Sequence, residues 1–112
     1  PGRYPAAVAF DAVDAATSLD LARRLARVGY TEAALTIYRR HLRAFPFDET
    51  SAATHVGIGL IQLDQLGQVA PAYQHFLEAL DLSPAPEVAA QARDALARIA
   101  ALQKLKTAPP RG

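Results

Sequence analysis

The chain has 112 residues, enough for one domain with a modest core and too few for two. Half of the residues are apolar, with alanine far ahead and few β-branched or aromatic side chains, which is the composition of helices. The absence of cysteine excludes disulfides and thiolate metal sites, and the longest uncharged stretch, 50–63, falls short of the roughly 18 residues a membrane span needs. No secretory signal pattern is present. A soluble domain is expected, with the cytoplasm as the default compartment. The chain starts at Pro1 and contains no methionine, so a part of a larger protein, or a processed chain, is expected.

The net charge of +1 is distributed in blocks. Residues 15–48 carry six arginines against three acids, residues 49–84 carry four acids and no lysine or arginine, and residues 85–112 carry five bases against two acids. A basic, acidic, basic order bears on partners rather than on fold.

In chain order, residues 1–14 read as a lead-in segment. Thr17 stands three residues before Asp20, a capping-box spacing, so a helix is expected to start or be re-capped there. Leu21, Leu25 and Val28 form its apolar stripe, and Gly29 stops it. A second helix is predicted over about 31–45, with Ala34, Leu35, Tyr38, His41 and Leu42 at three- and four-residue spacings and Pro46 at its end. "FDETSA" reads as a turn with cap candidates Asp48, Thr50 and Ser51. A third helix, about 51–66, is apolar on almost every side and is therefore expected to be central. Gly57 and Gly59 weaken it by up to ~1 kcal/mol each relative to alanine, with close approach by a neighbouring backbone as the expected compensation. Gly67 ends it. A fourth helix carries Pro71 in its first turn and is closed by Pro84 and Pro86. A last helix runs over about 87–105, and "TAPPRG" reads as a disordered tail within 106–112.

Residues 28–46, "VGYTEAALTIYRRHLRAFP", align without gaps on residues 66–84, "LGQVAPAYQHFLEALDLSP", at an offset of 38. Gly29 meets Gly67, Ala34 meets Ala72, Tyr38 meets Phe76, His41 meets Ala79 and Pro46 meets Pro84. This pattern resembles the tetratricopeptide repeat (TPR) family: a turn glycine, a small residue early in the second helix, an aromatic, a further small residue and a closing proline. The period departs from the family's usual 34 residues, and His41 is bulkier than the small residue the pattern asks for. The expected fold is all-α, antiparallel helix-turn-helix repeats stacked as a short right-handed α-solenoid of about five helices. Its parts are repeat 1 over 15–48, repeat 2 over 49–84 and a capping helix over 85–105 that shields the last repeat.

The chemistry of an enzyme is not found. His75 and Glu78 share a helix face at i,i+3 but offer two ligands where zinc needs three or four, so no metal is expected and the pair reads as a solvated couple. His55 is placed near a helix start. Ser18, Ser51 and Ser83 sit at helix boundaries, as caps or turn residues. "GIG" at 57–59 lacks the further glycine, the lysine and the preceding strand of a phosphate loop. The arginine pairs 23/27 and 39/43 lie on different helices, so a solvated basic face is favoured over a phosphate track and no nucleic-acid partner is expected. No catalytic residue and no cofactor is assigned.

The resemblance implies a scaffold that binds a protein or peptide in a concave groove lined by the first helix of each repeat. Carried over, the groove draws on Leu19, Arg23, Ala26 and Arg27 from the first unit. The second supplies Thr54, Gly57, Ile61, Asp64 and Gln65, and the capping helix Gln91, Ala95 and Arg98. The chain has no asparagine, so the Lys and Asn arrangement with which some family members clamp a peptide carboxylate is absent. A peptide-binding interaction module is the reading carried forward. The alternative is a structural domain that forms homo-oligomers by pairing its basic and acidic faces.

Overall fold

The computed structural model describes residues 15–107. The expected lead-in over 1–14 and residues 108–112 of the expected tail lie outside the described residues. Five helices account for the architecture of the described residues: α1 (Ala15–Arg27), α2 (Thr31–Ala44), α3 (Ser51–Leu60), α4 (Val69–Asp81) and α5 (Pro86–Thr107). A π-helical turn, Ile61–Gln65, continues α3, and no strand occurs among the described residues. The chain is all-α, and the pairing of consecutive helices agrees with a helical-repeat stack.

Gly29 and Gly67 adopt φ of +94° and +67°, the left-handed conformation that turns the chain after α1 and after the π-helical turn. No side chain crowds either position, so glycine is needed there for its backbone alone. At the end of α4 the same conformation falls to Ser83, at φ +52°, with Pro84 next to it. Pro86 does not close α4. It is the first residue of α5, where a missing N–H leaves no hydrogen bond unmade. Thr17 likewise starts nothing: the chain is already helical at Ala15. Helix α5 runs on through Thr107, two residues beyond the expected boundary.

The core has two halves, and α3 belongs to both. Ala52 and Val56 pack with Ala72, Phe76 and Ala79 of α4 and with Ala92, Ala95 and Ile99 of α5. Ile58 and the adjoining Ile61 pack with Leu19 and Ala22 of α1 and with Ala34, Leu35 and Tyr38 of α2. Burial from several sides is what an all-round apolar helix requires.

Gly57 and Gly59 explain how so thin a helix is packed. A Cβ on Gly57 would lie 2.6 Å from Tyr38 Cε1, and a Cβ on Gly59 would lie 2.7 Å from Phe76 Cε1. Residues two apart on a helix point some 200° apart, so these glycines open nearly opposite faces. One face receives the aromatic ring of α2, the other that of α4. The neighbours that approach are aromatic side chains, not the backbone expected from the sequence.

His41, where the repeat pattern asks for a small residue, is almost completely buried. Its ring lies 5.0 Å from the Phe45 ring, and Nε2 is 2.7 Å from Thr50 Oγ1. The Thr50 hydroxyl donates its one proton to Asp48 Oδ1, at 2.5 Å, so it must accept from His41. The His41 proton therefore sits on Nε2. Asp48 also accepts from the Thr50 N–H at 2.8 Å, and the Ser51 hydroxyl donates to the Phe45 carbonyl at 2.5 Å. The bulky residue is thus held by the turn that "FDETSA" forms.

Candidate functional site

The structure gathers most of the expected groove residues around one cleft. Arg23, Ala26 and Arg27 of α1 meet Gly57, Leu60, Ile61, Asp64 and Gln65 around a volume of 240 Å³, with Tyr38 at its edge. Gln65 fixes the geometry. Its amide nitrogen donates to the Ala26 carbonyl at 3.1 Å, and its Oε1 accepts from the Thr31 hydroxyl. The end of the π-helical turn is thereby tied to the α1–α2 turn.

That π-helical turn is what sets the register. Leu66 N–H donates to the Ile61 carbonyl at 3.1 Å, and Gln68 N–H to Gln62 at 2.7 Å. The wider winding rotates Asp64 and Gln65 relative to a continuous α-helix. The sequence predicts a plain α-helix over 51–66, and the polar "QLDQ" run carries no sign of the change.

Five expected groove residues, Leu19, Thr54, Gln91, Ala95 and Arg98, do not line this cleft. Leu19 is 5 % exposed and belongs to the core with Ala22 and Ile58. Thr54 is 0 % exposed, and its hydroxyl donates to the Thr50 carbonyl at 2.9 Å. Neither offers a side chain to a ligand, because the faces of α1 and α3 that carry them are turned into the helix pair. Ala95 is likewise buried, whereas Gln91 is exposed. Arg98 and Asp64 are neighbours: Nη1 lies 3.0 Å from Oδ1, half-exposed on both sides. Their charges offset one another. Arg23 and Arg27 form no ion pair among the described residues, so the rim of the cleft is cationic.

The residues expected to pack the repeats are Gly29, Ala34, Tyr38, Pro46, Gly67, Ala72, Phe76, Ala79 and Pro84. The alanines and both aromatics are buried, and Pro46 is exposed while Pro84 is partly covered.

A second cluster lies at the interface of α3 and α4. His55 Nδ1 is 2.9 Å from His75 Nδ1 and 3.5 Å from Glu78 Oε1. The i,i+3 spacing pairs His75 with Glu78 but does not reveal His55, twenty residues earlier. The hairpin itself holds the missing signal: residues 55 and 78 are almost equidistant from the turn at Gly67, so antiparallel packing brings them together.

Burial pushes all three histidines below the ordinary imidazole value of 6.5. Asp48 partly opposes this at His41 and Glu78 at His55, while His55 and Arg39 add to it at His75. A lowered folded-state value makes each histidine favour folding above the unfolded pKa and lose that advantage as the pH falls. Stability is therefore expected to decline from about pH 6.5 downward, by at most about 1.4 kcal/mol per pH unit per histidine. Asp48 acts lower: burial alone would raise its value, but hydrogen bonds from the Thr50 hydroxyl and N–H hold it below 3.8. Urea unfolding at pH 7.5, 6 and 5 checks this, and a midpoint that stays flat between 7.5 and 5 contradicts it.

No family model, curated protein or solved structure matches this chain. No helix among the described residues is long and apolar enough to cross a membrane.

Proposed function

We propose that this chain is a non-catalytic, tetratricopeptide-like interaction module that holds an extended apolar and acidic peptide segment in the cleft between α1 and α3. The observation that carries this reading is the cleft's composition: an apolar floor of Gly57, Leu60 and Ile61 under a rim of Arg23 and Arg27. Its 240 Å³ is below the ~300 Å³ at which small-molecule pockets begin, which favours a few side chains of a longer chain over a cofactor. Charge complementarity at such a rim acts mainly on encounter rate and selectivity, so the affinity should fall with salt.

Fluorescence anisotropy with two synthetic peptide sets, sharing apolar positions and differing in Asp/Glu against Lys, tests the reading. The acidic set is expected to bind more tightly. The double variant Arg23→Glu, Arg27→Glu should lose about 10-fold or more of that affinity, with its helical circular dichroism unchanged. Equal binding of both sets, or an unaffected double variant, would sink the proposal.

One observation favours the second reading, self-association. A larger cleft of 580 Å³ opens between α4 and α5, lined by Val69, Tyr73, Leu96 and Ile99, and near it Leu102 and Leu105 are exposed. A second copy covering that face would remove apolar surface from water. Sedimentation at rising concentration and two salt levels separates the readings, since a strictly monomeric chain removes this one.

A further inference from the structure

We propose that His55, His75 and Glu78 form a binding site for one divalent transition metal ion of the zinc class, with His55 Nδ1, His75 Nδ1 and Glu78 Oε1 as ligands. The inference is independent of the peptide cleft. It starts from three potential donor atoms that all lie within 4.8 Å of one another. Zinc binds imidazole nitrogen at about 2.0–2.1 Å and carboxylate oxygen at about 2.0–2.2 Å, so tetrahedral neighbours stand roughly 3.3–3.5 Å apart. The 2.9 Å and 3.5 Å separations seen from His55 Nδ1 bracket that spacing.

The backbone prepares the arrangement. His55 projects from α3, while His75 and Glu78 project one turn apart from α4, and the two helices pack along their length. The imidazole rings are 5.1 Å apart and tilted by 36°, with their Nδ1 atoms converging. His55 is nearly buried, which fixes one ligand, whereas the Glu78 side chain is 59 % exposed and turns freely to close the set. Without metal, the Nδ1 atoms share one proton in a single hydrogen bond. With metal, that proton moves to Nε2, and both lone pairs face the ion.

The donor set selects the metal class. Two imidazoles and one carboxylate suit zinc, cobalt, nickel or copper, whereas magnesium and calcium want oxygen ligands in larger number. Three protein ligands leave a fourth position for water or for a group from a partner. His55 and Glu78 border a cleft of 350 Å³ walled by Leu42, Pro46 and Phe47, through which such a group can approach. Residues 49–84 carry four acids and no lysine or arginine, so this segment's own charge favours a cation, with Arg39 the opposing charge beside His75.

The test uses the whole chain, stripped with a chelator and titrated by calorimetry with zinc, and separately with magnesium. One zinc per chain is expected at pH 7.5, with a raised unfolding midpoint, binding lost toward pH 5 and no response to magnesium. His75→Gln and Glu78→Gln alter partly exposed positions, so both variants should keep the fold, which circular dichroism verifies. Each should bind zinc at least about 10-fold more weakly. Zinc affinity weaker than ~1 mM, or wild-type affinity in either variant, would overturn the site and leave a histidine–histidine hydrogen bond.

Discussion

Phe76→Ala is expected to destabilise the chain by about 3–5 kcal/mol. The ring is completely buried, enclosed by Ala52, Val56, Ala92 and Ala95, and it fills the space that Gly59 leaves on α3. Most of the fully buried residues of its cluster are alanines, which have no side-chain reach to collapse into the void. Cavity costs are largest where the surroundings cannot relax. Domains of this size have total stabilities of 5–15 kcal/mol, so the variant should sit near or beyond its unfolding threshold at moderate temperature. Leu77, the next residue, is 37 % exposed, and Leu77→Ala should cost under about 1 kcal/mol. Chemical denaturation of the two variants checks the contrast, and equal losses would mean that α4 presents a different face to α3.

Gly59→Ala is expected to cost about 1–3 kcal/mol, although alanine is the better helix former by up to ~1 kcal/mol. Two effects oppose each other, and the clash decides the sign. A new methyl would stand 2.7 Å from Phe76 Cε1 and 2.9 Å from Cζ, and the fully buried ring has nowhere to go. Gly57→Ala meets the tip of Tyr38 instead, at the edge of the cleft that Arg23 and Arg27 border. That ring is buried as well, so a comparable loss is expected. Both losses are measurable by urea unfolding. A stabilised Gly59→Ala would contradict the packing of a ring on each face of α3.

These glycines show how far the sequence could be read. The 38-residue offset aligns Ala34 with Ala72 and Tyr38 with Phe76, and all four are buried. Turn glycines and helix-stopping prolines are local features, fixed by backbone sterics, so they can be read from short stretches. What packs on what depends on pairs distant in sequence. A helix carrying two glycines signals close approach, but nothing local says that the visitor is a ring. Leu19 and Thr54 were expected in the groove on a carried-over register, and core packing on one side and a hydroxyl bond to Thr50 on the other take them inward. The π-helical turn that brings Asp64 to Arg98 and Gln65 to Ala26 is set by the geometry of the whole unit. His55 was separated from its partners only in sequence, since the hairpin about Gly67 closes the distance.

The measurement that bears most directly on the proposed role is an amide NMR titration of the labelled chain with the tightest-binding acidic peptide. The shifts are predicted to cluster on Arg23, Arg27, Gly57 and Ile61, around the cleft between α1 and α3. Shifts confined to Tyr73, Leu96 and Gln103 in the α4–α5 cleft, or none at saturating peptide, would contradict a peptide-binding role for this groove.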